Sequence, residues 1–166
     1  MRFHFPVIII DEDFRSENAS GLGIRALAKA IEVEGFEVIG VTSYGDLSSF
    51  AQQQSRASAF ILSIDDEEFS GDEAEKTIAE LRAFVQEIRC RNEEIPIFLH
   101  GETRTSRHIP NDVLRELHGF IHMFEDTPEF VAKHIIREAK SYLESVQPPF
   151  FKALLDYAED GSYSWH

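Results

Sequence analysis

VIIIDED, at residues 7–13, decides the fold, because four aliphatic residues run directly into three carboxylates. A second stretch, AFILSIDDEE at residues 59–68, repeats the pattern. Short apolar runs bounded by polar residues are typical of strands buried on both faces of a parallel sheet. In open α/β sheets the ligand crevice lies outside the carboxyl ends of the strands, so the two acidic stretches are predicted to share one edge.

Strand-like and helix-like segments alternate along the whole chain, as in an α/β fold with helices on both faces of a parallel sheet. The strands are predicted near residues 5–10, 37–41, 59–64, 95–99 and 119–123, and the helices near 20–34, 46–54, 73–91, 111–117 and 128–146. Right-handed crossovers favour the flavodoxin-like, or receiver-like, strand order 2-1-3-4-5. Residues 1–146 are predicted to form this domain, and residues 147–166 a linker with a short helix.

Composition excludes several classes of function. With 30 acidic and 16 basic residues the net charge is −14, which argues against binding to nucleic acids or to anionic membranes. No apolar run approaches the ~20 residues that span a bilayer, and no secretory signal is evident, so we expect a cytoplasmic protein. Cys90 is the single cysteine, which excludes an intramolecular disulfide.

The acidic stretches suggest the chemistry of a phosphorylated receiver domain. Asp11, Glu12 and Asp13 are of the type that holds Mg²⁺. The phosphoacceptor of such a site would stand at the end of the third strand, where the sequence offers Ser63 or, two residues on and facing the same side, Asp65. The sequence leaves this register open.

A working receiver also needs a lysine at the end of the fifth strand, and this chain lacks one. Between Lys76 and Lys133 no lysine occurs, so the charge of a phosphoryl group would be poorly stabilised. We therefore expect the acidic cluster to be vestigial and the scaffold to serve assembly or regulation.

Two further segments could bind anions. Gly21 and Gly23 open the first helix, and their spacing favours helix entry and close packing over a phosphate site. Arg104, Arg107 and His108 form a locally basic loop after the fourth strand. An anionic effector or a neighbouring subunit could dock on that loop. The seven histidines form no set with the spacing of metal ligands, so no metal site is predicted.

Three segments carry a family resemblance: IIIDEDF at residues 8–14, GVTSYGDL at 40–47 and PPFFKALLDY at 148–157, followed by SYSWH at 162–166. They resemble the bacterial ornithine/lysine/arginine decarboxylases, which are enzymes of fold type I that use pyridoxal phosphate (PLP). The resemblance covers essentially the whole chain. It implies a receiver-like N-terminal domain, the wing domain, joined by a linker to a PLP-binding core.

The resemblance places the Schiff-base lysine and the other PLP contacts in that core, so no catalytic, cofactor-binding or metal-binding residue is expected here. It implies partners instead: the chain's own catalytic core, and neighbouring wing domains in a homo-oligomer whose dimers build a larger ring, such as a decamer. Phe150, Phe151, Tyr157 and Trp165 are the expected linker contacts to the core. Some lysine-specific enzymes of this family bind an alarmone. For this chain an effector is possible, but no residue is assigned to its binding.

The parent enzyme would be a carboxy-lyase that converts arginine, lysine or ornithine to agmatine or a diamine, for polyamine supply or acid resistance. The alternative is a stand-alone pseudo-receiver that binds a partner protein without phosphotransfer. The aromatic residues after Pro149 favour the first hypothesis, since a complete small domain has little reason to expose them.

Overall fold

Parallel strands form one sheet in the computed structural model, which describes residues 3–43, 56–64, 73–102, 107–122 and 125–146. The five described strands are β1 (Phe3–Ile10), β2 (Phe36–Val41), β3 (Ala59–Ser63), β4 (Ile97–Gly101) and β5 (Gly119–His122). Their order, β2-β1-β3-β4-β5, confirms the predicted topology.

The described helices are α1 (Ala19–Val33), α2 (Glu73–Arg91), α3 (Asn111–Leu114) and α4 (Pro128–Val146). The helix predicted at residues 46–54 lies outside the described residues. Helix α3 ends three residues earlier than predicted. The chain turns there, because His118 N–H donates to the carbonyl of Ile97 at 2.8 Å and so joins the next strand to the sheet.

The sheet separates two hydrophobic cores. On one face, α1 and α4 pack against the strands; on the other face, α2 and the segment around α3 do so. Successive side chains of a strand point to opposite faces of the sheet, so each strand contributes to both cores. Ile9, Ile61 and Phe98 lie in the core under α1 and α4. The next residues along the same strands, Ile10, Leu62 and Leu99, lie in the core on the other face. Strands that are buried on both faces explain the continuous apolar runs.

The strand register brings the carboxyl ends of three strands side by side. Ile10 pairs with Leu62, and Ser63 pairs with His100. The backbone N–H of Asp11 continues the ladder by donating to the carbonyl of Val41 at 3.0 Å. The carboxyl ends of β1 and β3 therefore lie at one edge of the sheet, as predicted, whereas the acidic residues 65–68 lie outside the described residues.

Helix α1 begins under a tightly packed loop. The N-cap Asn18 accepts a hydrogen bond from the backbone N–H of Gly21 at 2.8 Å. A Cβ atom at Gly21 would overlap the carbonyl oxygens of Asp13 and Ser16, so only glycine fits. Arg25 Nη1 donates to the carbonyls of Phe14 and Ser16, both at 2.7 Å. These contacts confirm that Gly21 serves helix entry and close packing.

No helix in the described ranges is long and apolar enough to cross a membrane.

The two glycines of α1 provide a matched test of this packing. We expect Gly21→Ala to lower the free energy of unfolding by about 1–3 kcal/mol, because the new methyl group meets backbone atoms that cannot yield cheaply. Gly23→Ala should instead raise it by about 0.5–1 kcal/mol, since nothing lies within 4 Å of that position and alanine favours the helix. Urea unfolding of both variants measures the difference, and equal effects would contradict it.

Candidate functional site

Three polar side chains lie side by side at the carboxyl edge of the sheet, and we call Asp11, Ser63 and His100 the polar row. They follow β1 or end β3 and β4, in three adjacent strands. Each stands two residues after a core residue on the α1 and α4 side, so all three project to that face. Asp11 and His100 are buried, with about 4% and 5% of their surface exposed.

The Asp11 carboxylate accepts a hydrogen bond from the backbone of its own loop. Its Oδ1 accepts the backbone N–H of Asp13 at 2.8 Å, whereas its buried Oδ2 accepts no hydrogen bond. Burial raises the pKa of this carboxyl, and the charges of Asp13 and Glu12 raise it further. Hydrogen bonding by the Ser63 hydroxyl and by the Asp13 N–H lowers the pKa of Asp11 in part. The Ser63 hydroxyl lies 3.2 Å from His100 Nδ1, and Asp11 Oδ2 is left without a hydrogen bond.

Asp13 continues the same network toward α1. Its Oδ1 lies 3.2 Å from both Ser16 Oγ and Asn18 Nδ2, and Asn18 in turn caps α1. The aromatic ring of Phe14 lies against Gly40 of β2, where a Cβ atom would overlap it. Two of the three acids predicted to hold Mg²⁺ thus build the loop between β1 and α1. Glu12, the third, is exposed.

A cavity of about 150 Å³ opens at this edge, with Glu12, Ser63, Thr77 and Glu80 among its lining residues. The described lining holds two carboxylates and no lysine, arginine or histidine. A phosphoryl group would meet like charge there, without the cation that phosphoryl transfer requires. The cavity therefore does not suit the receiver reaction.

The described residues do not fit PLP. A Schiff-base lysine reacts as the neutral amine, which a desolvated pocket favours. Of the lysines in the described ranges, Lys29, Lys76 and Lys133 are exposed, and Lys140 is half-buried on α4. None lines the cavity at the sheet edge. Nor do the described residues hold a group of three His, Cys, Asp or Glu side chains suited to a metal ion.

The remaining predicted site residues are only partly described. Arg107 and His108 are exposed in the turn before α3. The structure does not describe the other predicted site residues, which are Asp65, Arg104, Phe150, Phe151, Tyr157 and Trp165. The anion-binding loop and the linker contacts stay predictions, as does the domain boundary after residue 146.

Sequence analysis did not single out His100. The signal was present, because His100 follows the apolar run of β4 as Ser63 follows that of β3, and strand pairing places such residues together. A lone histidine gave no reason to choose it from seven. Its neighbour Ser63, a predicted phosphoacceptor position, has its hydroxyl 3.2 Å from His100 Nδ1.

Comparison with known proteins identifies the family. A family model described as "Orn/Lys/Arg decarboxylase, N-terminal domain" matches residues 19–142. Lysine decarboxylase LdcA of Pseudomonas aeruginosa is 28% identical over 165 residues, covering 98% of this chain and 21% of that protein. The biodegradative arginine decarboxylase of Escherichia coli is 26% identical over 161 residues, covering 96% and 20%. The chain thus spans about a fifth of the length of these relatives.

Solved structures agree in fold. Lysine decarboxylase A from Pseudomonas aeruginosa superposes with a TM-score of 0.75 at 27% identity, over 99% of this chain and 22% of that one. A response regulator receiver domain from Clostridium thermocellum gives 0.56 at 12% identity, over 82% of this chain and 95% of that one. At that identity the second likeness concerns the fold alone.

The polar row makes stability depend on pH. Burial lowers the pKa of His100 from 6.5 to about 4. Because the folded pKa lies below the unfolded one, stability is complete above pH 6.5 and falls as the pH falls toward 4, by up to about 3 kcal/mol. Asp11 acts in the opposite sense, since its raised pKa favours the fold when it is protonated.

We expect His100→Gln to flatten this dependence, while His108→Gln at an exposed position leaves it intact. Urea unfolding between pH 7 and pH 4.5 measures the slopes. Parallel slopes for the wild-type chain and His100→Gln would contradict the assignment.

Proposed function

Because the chain belongs to the Orn/Lys/Arg decarboxylase family as its N-terminal domain, we propose that it is the wing domain of a cytoplasmic basic amino-acid decarboxylase. In this proposal the domain acts in assembly and regulation, and residues 147–166 link it to the catalytic core. Phe150, Phe151, Tyr157 and Trp165 make the contacts with that core. The observation that carries the proposal is the match over residues 19–142, supported by relatives aligned along nearly all of this chain.

The proposed parent reaction removes the α-carboxylate of lysine, arginine or ornithine as CO₂. PLP bound in the core supplies the electron sink for this step. The described residues contribute no buried lysine, so their part is structural. They form a sheet covered on both faces, and side-chain hydrogen bonds tie the loop after β1 to the start of α1.

We further propose that the domain works in a homo-oligomer, through contacts with its own core and with neighbouring wing domains. The loop at Arg104, Arg107 and His108 is a candidate contact for an anionic effector or a second subunit. Arg107 and His108 are exposed, as either role requires.

The decarboxylase proposal is tested by expressing the whole reading frame that encodes this chain. We expect its product to bind PLP and to release CO₂ from one of the three basic amino acids. The 166-residue chain alone should do neither, because the family resemblance assigns the PLP lysine to the catalytic core. Absorbance of bound PLP and labelled CO₂ are the readouts. A PLP-binding 166-residue chain, or an inactive full product, would overturn the proposal.

The second candidate is a stand-alone pseudo-receiver, which the receiver-like fold favours. A true phospho-receiver is a third candidate, and it has a direct test. Incubation with acetyl phosphate and Mg²⁺ should leave the mass of the intact chain unchanged, because Asp11 and Asp13 hold the β1–α1 loop and the described cavity lining has no cation. A conventional receiver domain, treated in parallel, serves as the positive control. A gain of one phosphoryl group would revive phosphotransfer.

A further inference from the structure

The polar row leaves one buried acceptor without a hydrogen bond. Asp11 Oδ2 is the single buried side-chain nitrogen or oxygen atom of the described residues that has no partner. Ser63 lies close enough to lower the pKa of Asp11, yet its hydroxyl is placed 3.2 Å from His100 Nδ1. Because unpaired buried acceptors are rare and destabilising, this oxygen calls for a physical explanation.

The direction of the Ser63 hydrogen bond supplies that explanation. A hydroxyl group has one hydrogen to donate and lone pairs that accept. When His100 Nδ1 carries no proton, it accepts the hydrogen of the Ser63 hydroxyl. No hydrogen then remains for Asp11, and Oδ2 stays unpaired.

One proton added to the row reverses this direction. A protonated His100 donates from Nδ1, so Ser63 Oγ becomes the acceptor of that hydrogen bond. The Ser63 hydroxyl can then rotate and donate its own hydrogen to Asp11 Oδ2. Solvent supplies the proton, and the only covalent bond that forms is the N–H bond of the imidazolium. The buried carboxylate gains a hydrogen bond and, through the hydroxyl, a compensating positive charge.

The charged groups around the row leave Asp11 without a cation of its own. Glu12 and Asp13, in the loop after β1, raise the pKa of Asp11, and Glu80 of α2 lines the cavity beside Ser63. Arg25 of α1 donates to carbonyls of the same loop. The other titratable residues at this edge are Glu102 after β4, His122 of β5, Glu125 and Asp126 before α4, and Glu129 and Lys133 of α4. Among the described residues, burial accounts for the lowered pKa of His100.

We propose that the polar row is a one-proton switch, in which the Ser63 hydroxyl turns from His100 to Asp11 when the row takes up a proton. The switch connects the end of β4 to the loop between β1 and α1, because Asp11 Oδ1 also accepts the N–H of Asp13. It is a property of this domain that goes beyond the proposed decarboxylase function and does not depend on it.

Two pKa shifts agree with this arrangement. The pKa of Asp11 is raised from 3.8, and that of His100 is lowered from 6.5 to about 4, so the two titrations are displaced toward one another. Interacting groups of this kind titrate as a pair rather than one by one.

An NMR titration of the isotope-labelled 166-residue chain between pH 7.5 and pH 3 tests the switch. At pH 7.5 we expect His100 Nδ1 to carry no proton. On acidification the imidazole nitrogens of His100 and the carboxyl carbon of Asp11 should change with one common midpoint, below the ordinary histidine pKa of about 6.5. The amide of Asp13 should follow the same midpoint, because its N–H is bound to Asp11.

Ser63→Ala should separate the two midpoints by about 1 pH unit or more. Asp11 loses the hydroxyl that lowers its pKa, and protonated His100 loses its acceptor. Ser63→Thr retains the hydroxyl and should retain the common midpoint. Ser58→Ala is the matched control, since this buried serine donates to the carbonyl of Phe5 at 3.0 Å, at the opposite edge of the sheet, and its loss should leave both midpoints unchanged.

Asp11→Asn provides a second test, which stands even where circular dichroism shows that Ser63→Ala fails to fold. Asparagine keeps Oδ1 as the acceptor for Asp13, yet the midpoint of His100 should fall by about 1 pH unit, because the imidazolium loses its counter-charge. An unchanged His100 midpoint in this variant would overturn the switch.

Three results with the other chains would also overturn it: unrelated midpoints in the wild-type chain, a proton on His100 Nδ1 at pH 7.5, or the same midpoints in Ser63→Ala as in Ser58→Ala. Release of CO₂ by the full product reports on the proposed function separately. An active enzyme whose polar row titrates without coupling refutes only the switch, and a coupled row in a chain whose full product is inactive refutes only the decarboxylase.

Discussion

The buried carboxylate of Asp11 is the constraint around which the edge of the sheet is organised. It stands at the end of β1, where a phosphorylated receiver needs acids for Mg²⁺. Here its Oδ1 orders the backbone of Asp13, and Asp13 orders Ser16 and Asn18. Asn18 then caps α1. Acids of a type that can hold a metal ion form here a chain of hydrogen bonds that joins a strand to the following helix.

The close packing around this loop extends the constraint to neighbouring elements. Gly21 leaves room for the carbonyls of Asp13 and Ser16, and Gly40 leaves room for the ring of Phe14. These contacts join α1 and β2 to the acidic loop, so Phe14 at the end of IIIDEDF touches Gly40, the first residue of GVTSYGDL.

Most of the fold could be predicted because its signals are local and periodic. Continuous apolar runs predict strands buried on both faces, and Gly35, which has a φ of 99°, ends the first helical segment as a glycine can. The polar row could not be predicted in full. The partner of the Ser63 side chain depends on the register between β3 and β4 and on atomic distances. Neither can be read from the residues next to Ser63 in the sequence. The pKa of His100 depends on burial by residues distant in sequence.

The acidic loop has a consequence for how such chains are classified. An Asp-Glu-Asp triplet after the first strand of a doubly wound sheet is commonly taken to indicate phosphotransfer. In this chain Asp11 and Asp13 each accept hydrogen bonds that hold the loop between β1 and α1. The hydrogen-bond partners of such acids, and not their presence alone, bear on whether they are free to hold a metal ion.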